Sequence, residues 1–285
     1  MERAVAGNQR IVPRVAAAQP CYRRYDGLGL ETCLYRGPLP RMPVHAHAQY
    51  QLTLYAGAPR RFTVAGEVFT GDERTSVIIQ SGEPHASVPI GDQHTALRTF
   101  YIEPEMMQQA ADAIWQRAAT VVFRAPRLTD PSTVAMLHAA HRALGEGGLE
   151  GEVAFCTALE HLVRRYAAPS GASRKLARSD GRTAQVRDLL SERLAENVRL
   201  DELARVAELS PFHLIRLFRR RYGVTPFAYL RNLRVERARD ALRCGESLAE
   251  IAANLGFADQ SHLGRAFRHV MGATPGQYRR SFLRR

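Results

Sequence analysis

The chain has 285 residues, enough to bury two separate cores, and its 40 Lys+Arg against 28 Asp+Glu give a formal net charge of +12. The excess is uneven: residues 1–169 carry 17 basic against 16 acidic side chains, and residues 170–285 carry 23 against 12, so a polyanionic partner is expected for the C-terminal part alone. Cys21, Cys33, Cys156 and Cys244 form no C-x-x-C pair and there is no long apolar run, which argues against a disulfide scaffold, a zinc ribbon or a membrane span and for a soluble cytoplasmic protein.

Residues 1–105 read as strands and turns. Segments 51–55, 61–64 and 76–80 are short and rich in Val, Ile, Thr, Tyr and Phe, with Gly and Pro signals between them at Gly57, Pro59, Gly66, Gly71, Gly82 and Pro84. Strands this short at this spacing predict a small antiparallel barrel or jelly roll. From Pro104 the period changes. Segments 105–119, 131–144 and 151–168 place apolar residues at i, i+3 and i+4, and the glycines at 145, 147 and 148 let the last two fold back as a hairpin. Residues 106–168 thus read as a helical connector, well placed for dimerisation. The polar stretch 169–181 reads as a linker.

Residues 182–285 read as helices that contain a duplication. F-H-L-I-R-L-F at 212–218 and S-H-L-G-R-A-F at 261–267 are each followed by Arg, Gly, Thr-Pro and Tyr, at a constant offset of 49 positions. In the first unit, a helix over 200–207 is followed by a short turn, a Ser210 cap and Pro211 at the first position of a second helix. The second unit has a capping box from Ser247 to Glu250, a turn through Gly256 and a second helix capped by Asp259. Helix, short turn and capped helix is the layout of a helix-turn-helix. Helical geometry turns Leu214, Leu217 and Phe218 inward, as it does Leu263, Ala266 and Phe267. The opposite stripes are Phe212, Ile215, Arg216 and Arg219, and Ser261, Gly264, Arg265 and Arg268. Arginine at the same outward place in both helices suits the guanine edge in a major groove, and Ile215 suits a thymine methyl. Between the units, a continuous helix over 226–243 spans about 27 Å. A rod of that length fits two reading helices on successive grooves about 34 Å apart.

These residues, with I-A-x-x-L-G-F-x-D-Q-S-H-L-x-R-x-F-R and G-x-T-P-x-x-Y-R in the second unit, resemble the DNA-binding domain of the AraC/XylS transcription regulators over about the last hundred positions. The resemblance implies base reading by Phe212, Ile215 and Arg216 and by Gln260, Ser261, His262 and Arg265. It implies phosphate contacts from His213, Arg219, Arg220 and Arg221, with Arg268 at the matching place. Two departures stand out: Gly264 offers no side chain inside the second reading helix, and Arg199 stands where a capping Ser or Thr is expected.

The chemically suggestive part of the N-terminal half is His45-Ala46-His47, with His85 following Pro84. Histidines at i and i+2 share a strand face, and a third from a neighbouring strand completes a metal-site pattern. The segments resemble the cupin-like effector domain that often precedes the AraC/XylS DNA-binding unit. Where metal-dependent cupins carry a carboxylate, Tyr50 and Gln51 stand instead, so no metal and no cofactor is expected. His45, His47 and His85, with Arg36 and Tyr50, are read as lining a small-molecule pocket. Arg60 and Arg61 suit either an anionic effector or a surface loop.

The expected fold is therefore α+β with two domains: a cupin-like barrel with appended helices, then an all-α domain with two helix-turn-helix units joined by a long helix. The expected function is a sequence-specific, effector-responsive regulator, an activator by resemblance. Its expected partners are promoter DNA, RNA polymerase, a small molecule and a second copy of itself. The competing reading is a cupin metalloenzyme with a basic helical appendage.

Overall fold

Alternation of buried and exposed residues builds the N-terminal half. The computed structural model describes residues 20–38, 41–64, 66–91, 95–116, 119–170 and 177–283. Nine strands come first: β1 (Cys21–Tyr25), β2 (Leu30–Gly37), β3 (Met42–His45), β4 (Tyr50–Gly57), β5 (Arg60–Val64), β6 (Glu67–Gly71), β7 (Ser76–Ile79), β8 (His85–Pro89) and β9 (Thr95–Ile102). After helix α1 (Pro104–Trp115) come β10 (Thr120–Phe123) and β11 (Arg127–Leu128). One sheet has the order β1-β2-β9-β4-β7-β11 and the other β3-β8-β5-β6, with antiparallel neighbours throughout. The period of two sorts β4 cleanly: Leu52 and Leu54 enter a core with Phe100, Met107, Leu137 and Leu162, while Gln51, Thr53 and Tyr55 point between the sheets.

Helices α2 (Pro131–Glu146) and α3 (Leu149–Tyr166) pack on that core as the expected hairpin, turning through Gly147 and Gly148. The connector is not purely helical. β10 pairs with β12 (Ala167–Ser170), and β11 adds a sixth strand beside β7. Both β10 and β11 are too short to show a period. Of the linker expected over 169–181, residues 171–176 lie outside the described residues; β12 reaches Ser170 on one side and helix α4 (Ala177–Glu192) starts on the other.

The duplicated half follows its caps. Helices α5 (Leu200–Val206) and α6 (Pro211–Tyr222) form the first unit, and the Ser210 side chain accepts from the His213 N–H. Arg199 makes no side-chain cap for α5, as its identity implies. Helix α7 (Pro226–Arg243) runs unbroken for 18 residues from a Thr225 cap. Helices α8 (Leu248–Asn254) and α9 (Gln260–Met271) form the second unit, with the Ser247–Glu250 capping box closed in both directions. Helix α10 (Pro275–Leu283) completes it. The two units differ in their cores. Phe218, Leu214 and Leu203 belong to a cluster made wholly of α4–α7 and the segments between them, whereas Phe267, Leu263 and Tyr278 share theirs with Tyr22 and Cys33 of the barrel.

The two turns also differ. Glu208 holds φ at 51°, in the left-handed region that costs a non-glycine residue about 1 kcal/mol, where Gly256 at 69° serves the second unit. Its contact with Arg182, 3.6 Å away on an exposed surface, returns little of that. Glu208→Gly is therefore expected to leave stability unchanged or raise it by up to about 1 kcal/mol. A lowered urea midpoint would contradict this account of the turn.

Candidate DNA-reading face and effector cavity

The caps and inward stripes of α6 and α9 decide what each helix offers to a partner. Leu214 and Phe218 are fully buried, which leaves Phe212, His213, Arg216, Arg219, Arg220 and Arg221 exposed and Ile215 half-buried. Phe212 is 87% exposed, an unusual place for a phenyl ring in a soluble domain. In α9, Leu263, Ala266 and Phe267 turn inward, and Gln260, Ser261, Arg265 and Arg268 are exposed. Arg216 and Arg265 thus occupy the same outward position in the two units. Arg221 stacks its guanidinium 5.4 Å from the Tyr222 ring. His262 stands apart from the other expected base readers. It is half-buried, its Nδ1 accepts from the Ala258 N–H at 3.3 Å, and its ring meets Phe257 edge-on. That geometry makes it a lock on the turn.

Between the two sheets lies a cavity of about 80 Å³. Room on that scale holds several waters or a small ligand. His45 on β3, His47 just beyond it, and His85 on β8 meet there, with ring centroids 4.2, 5.0 and 6.0 Å apart. Burial pushes His45 down to about 3 and lowers His47 and His85 as well, His85 further through its two histidine neighbours. All three are neutral at physiological pH.

Two residues expected in the pocket lie elsewhere. Tyr50 has the parity of Leu52 and Leu54, so it faces the helices; its hydroxyl donates to the Val121 carbonyl at 3.1 Å and its ring meets Phe123. Arg36 follows Tyr35, which lines the cavity, and alternation turns it out to solvent. Arg60 takes the place expected of Arg36. It opens β5 rather than a surface loop, lines the cavity at 1% exposure, and donates to the Ser87 hydroxyl at 3.0 Å and carbonyl at 3.3 Å. Arg61, its neighbour, is exposed.

The far wall of the cavity belongs to the other half of the molecule: Arg239 from α7, Val270 and Met271 from α9, and Gly272. Arg239 is nearly inaccessible. Its Nη2 donates to Glu31 of β2 at 2.6 Å, and its Nη1 to Gln49 at 3.1 Å and Glu236 at 3.3 Å. The guanidinium also lies between the rings of Tyr101 and Tyr278, at 5.5 and 5.9 Å. Burial opposes its charge, but the Glu31 carboxylate, Tyr278 and Glu236 outweigh that, so it stays cationic. Glu31, fully buried, also accepts from Arg243 at 3.1 Å and from the Tyr278 hydroxyl at 2.6 Å.

The ends of both reading helices touch the barrel too. Gly223 and Gly272 close α6 and α9 in the left-handed region, and a Cβ there would lie 1.8 Å from Pro84 Cγ and 3.2 Å from Met42 Sδ. Only glycine fits the first of these positions, for its conformation and for its space. Sequence reasoning found neither Glu31 nor Arg239. Each reads as an ordinary charge on a strand or helix.

Comparisons with known proteins agree with this geometry. A family model described as an AraC-like ligand binding domain matches residues 28–180, and one described as a helix-turn-helix domain matches 203–281. The HTH-type transcriptional regulator YbfI of Bacillus subtilis is 26% identical over 238 residues, 83% of this chain and 86% of its own. The transcriptional activator RhaS of an Enterobacter strain is 34% identical over 119 residues, 41% of each chain. Among solved structures, an apo single-substitution variant of ToxT from Vibrio cholerae superposes with a TM-score of 0.61 at 10% identity, covering 91% of this chain and all of that one. Wild-type ToxT bound to an unsaturated fatty acid gives 0.56 at 12% identity over 90% and 97% of the two chains. That similarity concerns the fold alone. These relatives are regulators rather than enzymes, and the metalloenzyme reading falls away. No helix among the described residues is long and apolar enough to cross a membrane. With an effector-binding domain in front of two helix-turn-helix units, the chain belongs to the AraC family of DNA-binding transcription regulators.

Proposed function

We propose that the protein is an effector-responsive activator that lays α6 and α9 in successive major grooves of promoter DNA. Phe212, Ile215 and Arg216 read one groove and Gln260, Ser261 and Arg265 the other. His213, Arg219, Arg220, Arg221 and Arg268 hold phosphates, and His262 holds its turn while its helix reads. The observation that carries the sensing part of this reading is the cavity wall shared by the two halves. A small molecule bound there touches the barrel, the connecting rod and the end of α9 together. Its affinity therefore differs between docked and undocked arrangements, which is what shifting a population requires. Exposed Leu149 and Val153, one turn apart at the start of α3, support assembly as a homodimer through the hairpin. RNA polymerase is the partner of an activator, and the cytoplasm its compartment.

Arginine position separates base reading from phosphate holding. Arg216→Ala is expected to cost about 1–3 kcal/mol at the operator and to relax base choice at one position. Arg220→Ala is expected to weaken all sequences alike and to flatten the salt dependence by about one counterion. Footprint titrations over a promoter library at several salt concentrations measure both. Uniform loss with Arg216→Ala would remove its reading role, and displacement by random-sequence DNA as readily as by the operator would reduce the protein to a general DNA binder.

A further inference from the structure

The face of α7 that meets the barrel carries an amide with nothing to bond. Asn232 sits mid-helix at 4% exposure, and neither its amide nitrogen nor its amide oxygen has a hydrogen-bond partner among the described residues. A buried polar group left unpaired lowers stability, so a plain packing role would favour an apolar residue here. One turn further along the same face, Glu236 accepts from Arg239 through Oε2 at 3.3 Å, while its Oε1 is buried and equally unpartnered. Both side chains line a cavity of about 130 Å³ between α7 and the barrel, larger than the 80 Å³ cavity between the sheets and sharing only His47 with its lining.

Two barrel loops shape this second cavity. Ala46 and Ala48 come from the segment after β3, and Ser81 and Gly82 from the turn before β8. The Gly82 N–H donates to the His47 carbonyl at 2.9 Å, which ties the loops together. Ser81 is exposed and marks the mouth. On the α7 side stand two free acceptors, Glu236 Oε1 and Asn232 Oδ1, beside one free donor, Asn232 Nδ2. The alanine methyls and Leu233 supply apolar wall. Charge favours a cation: Glu31, Glu236 and Asp240 pair with the two guanidiniums of Arg239 and Arg243. Arg231, next to Asn232, acts on His45 and His269 and does not line the cavity.

We propose that this cavity is a second ligand site, separate from the one inside the barrel, and that it takes a small free amine. The ammonium donates to the Glu236 carboxylate and the Asn232 amide oxygen, and a short carbon stem packs on Ala46, Ala48 and Leu233. The turn that forms the mouth also carries Pro84, beside which α6 ends at Gly223. An amine held there joins the barrel to the rod next to the first reading unit and favours the docked arrangement of the halves. Neither the operator nor the ligand of the barrel cavity enters this assignment.

The test titrates the full chain, free of DNA and in phosphate buffer, with propylamine, ethanolamine and putrescine. Propanol and propionate serve as the neutral and anionic counterparts. At least one amine is expected to bind at one equivalent per chain, with millimolar affinity because so few atoms make contact, and to raise the melting temperature. Propanol and propionate are expected to bind at least about tenfold more weakly. Glu236→Gln removes the charge-assisted bond and is expected to weaken amine binding by at least about tenfold. Asn232→Leu fills the cavity with an apolar side chain, so it is expected to abolish amine binding while the unliganded chain melts higher than wild type. That second variant keeps the test decisive if Glu236→Gln folds poorly. No binding by any of the three amines, equal binding of propylamine and propanol, or unchanged amine affinity in Asn232→Leu overturns the proposal. So does an Asn232→Leu chain that melts lower than wild type, since the amide would then serve the fold alone.

Discussion

Glu31→Gln is expected to destabilise the docked chain by about 3–5 kcal/mol, the usual cost of leaving a buried charge without its partner. The carboxylate sits at no measurable exposure and takes three donors from the DNA-binding half: Arg239, Arg243 and Tyr278. An amide in its place keeps the volume but leaves two guanidiniums facing a neutral group. Arg239 retains Glu236, on its own helix, so the loss falls on the junction between the halves rather than on either core. Urea unfolding followed at Trp115, the single tryptophan, which lies on the barrel side, should part from unfolding followed by the helical circular dichroism signal. In the wild-type chain the two curves should coincide. Removing both charges in Glu31→Gln/Arg239→Met should recover part of the loss, because the penalty lies in the unpaired charge more than in the pair itself. An unchanged midpoint with coincident curves in Glu31→Gln would show that the ion pair does not hold the halves together.

Phe218→Ala is expected to cost about 3–5 kcal/mol and to disable one reading unit while sparing the other. Phe218 is fully buried against Leu214 and Leu203, and its ring lies 4.5 Å from Tyr222 and 5.6 Å from Tyr229. Its cluster draws on the DNA-binding half alone, and the barrel reaches this unit at the end of α6, where Pro84 packs beside Gly223. Phe267 is as deeply buried, but its cluster includes Tyr22 and Cys33 from β1 and β2. A footprint on promoter DNA should therefore shrink from two adjacent grooves to the one read by α9. Equal weakening across both grooves would mean that the units fold as one block and that the separate cores carry no functional weight.

Both results bear on how regulation passes through the molecule. The rod α7 supplies Leu230 to the first core, Val235 and Leu242 to the second, and Arg239 to the cavity wall. One helix thus joins the cavity wall to the cores of both helix-turn-helix units, without a chain of loops between them.

The reading helices were legible from the chain alone because their determinants are local. Ser210-Pro211, Thr225-Pro226, the Ser247–Glu250 box and Asp259 fix where α6, α7, α8 and α9 begin, and the 3.6-residue period turns Arg216 and Arg265 outward whatever the barrel does. The duplication repeated the caps of the second helices, though Arg199 gives α5 no counterpart of the Ser247–Glu250 box. The cavity was only half legible. The H-x-H spacing put His45 and His47 on one side, but which way Tyr50 and Arg36 faced depended on strand register, and an error of one position exchanges the cavity for the helical core or for solvent. What the tertiary structure alone decided is the junction of Glu31 with Arg239, Arg243 and Tyr278, residues 208 or more positions apart. No period or cap marks a charge whose partner arrives from another domain. A buried ion pair is a property of the docked surfaces, and an arginine on a basic helix reads as solvated until an acidic strand is laid against it.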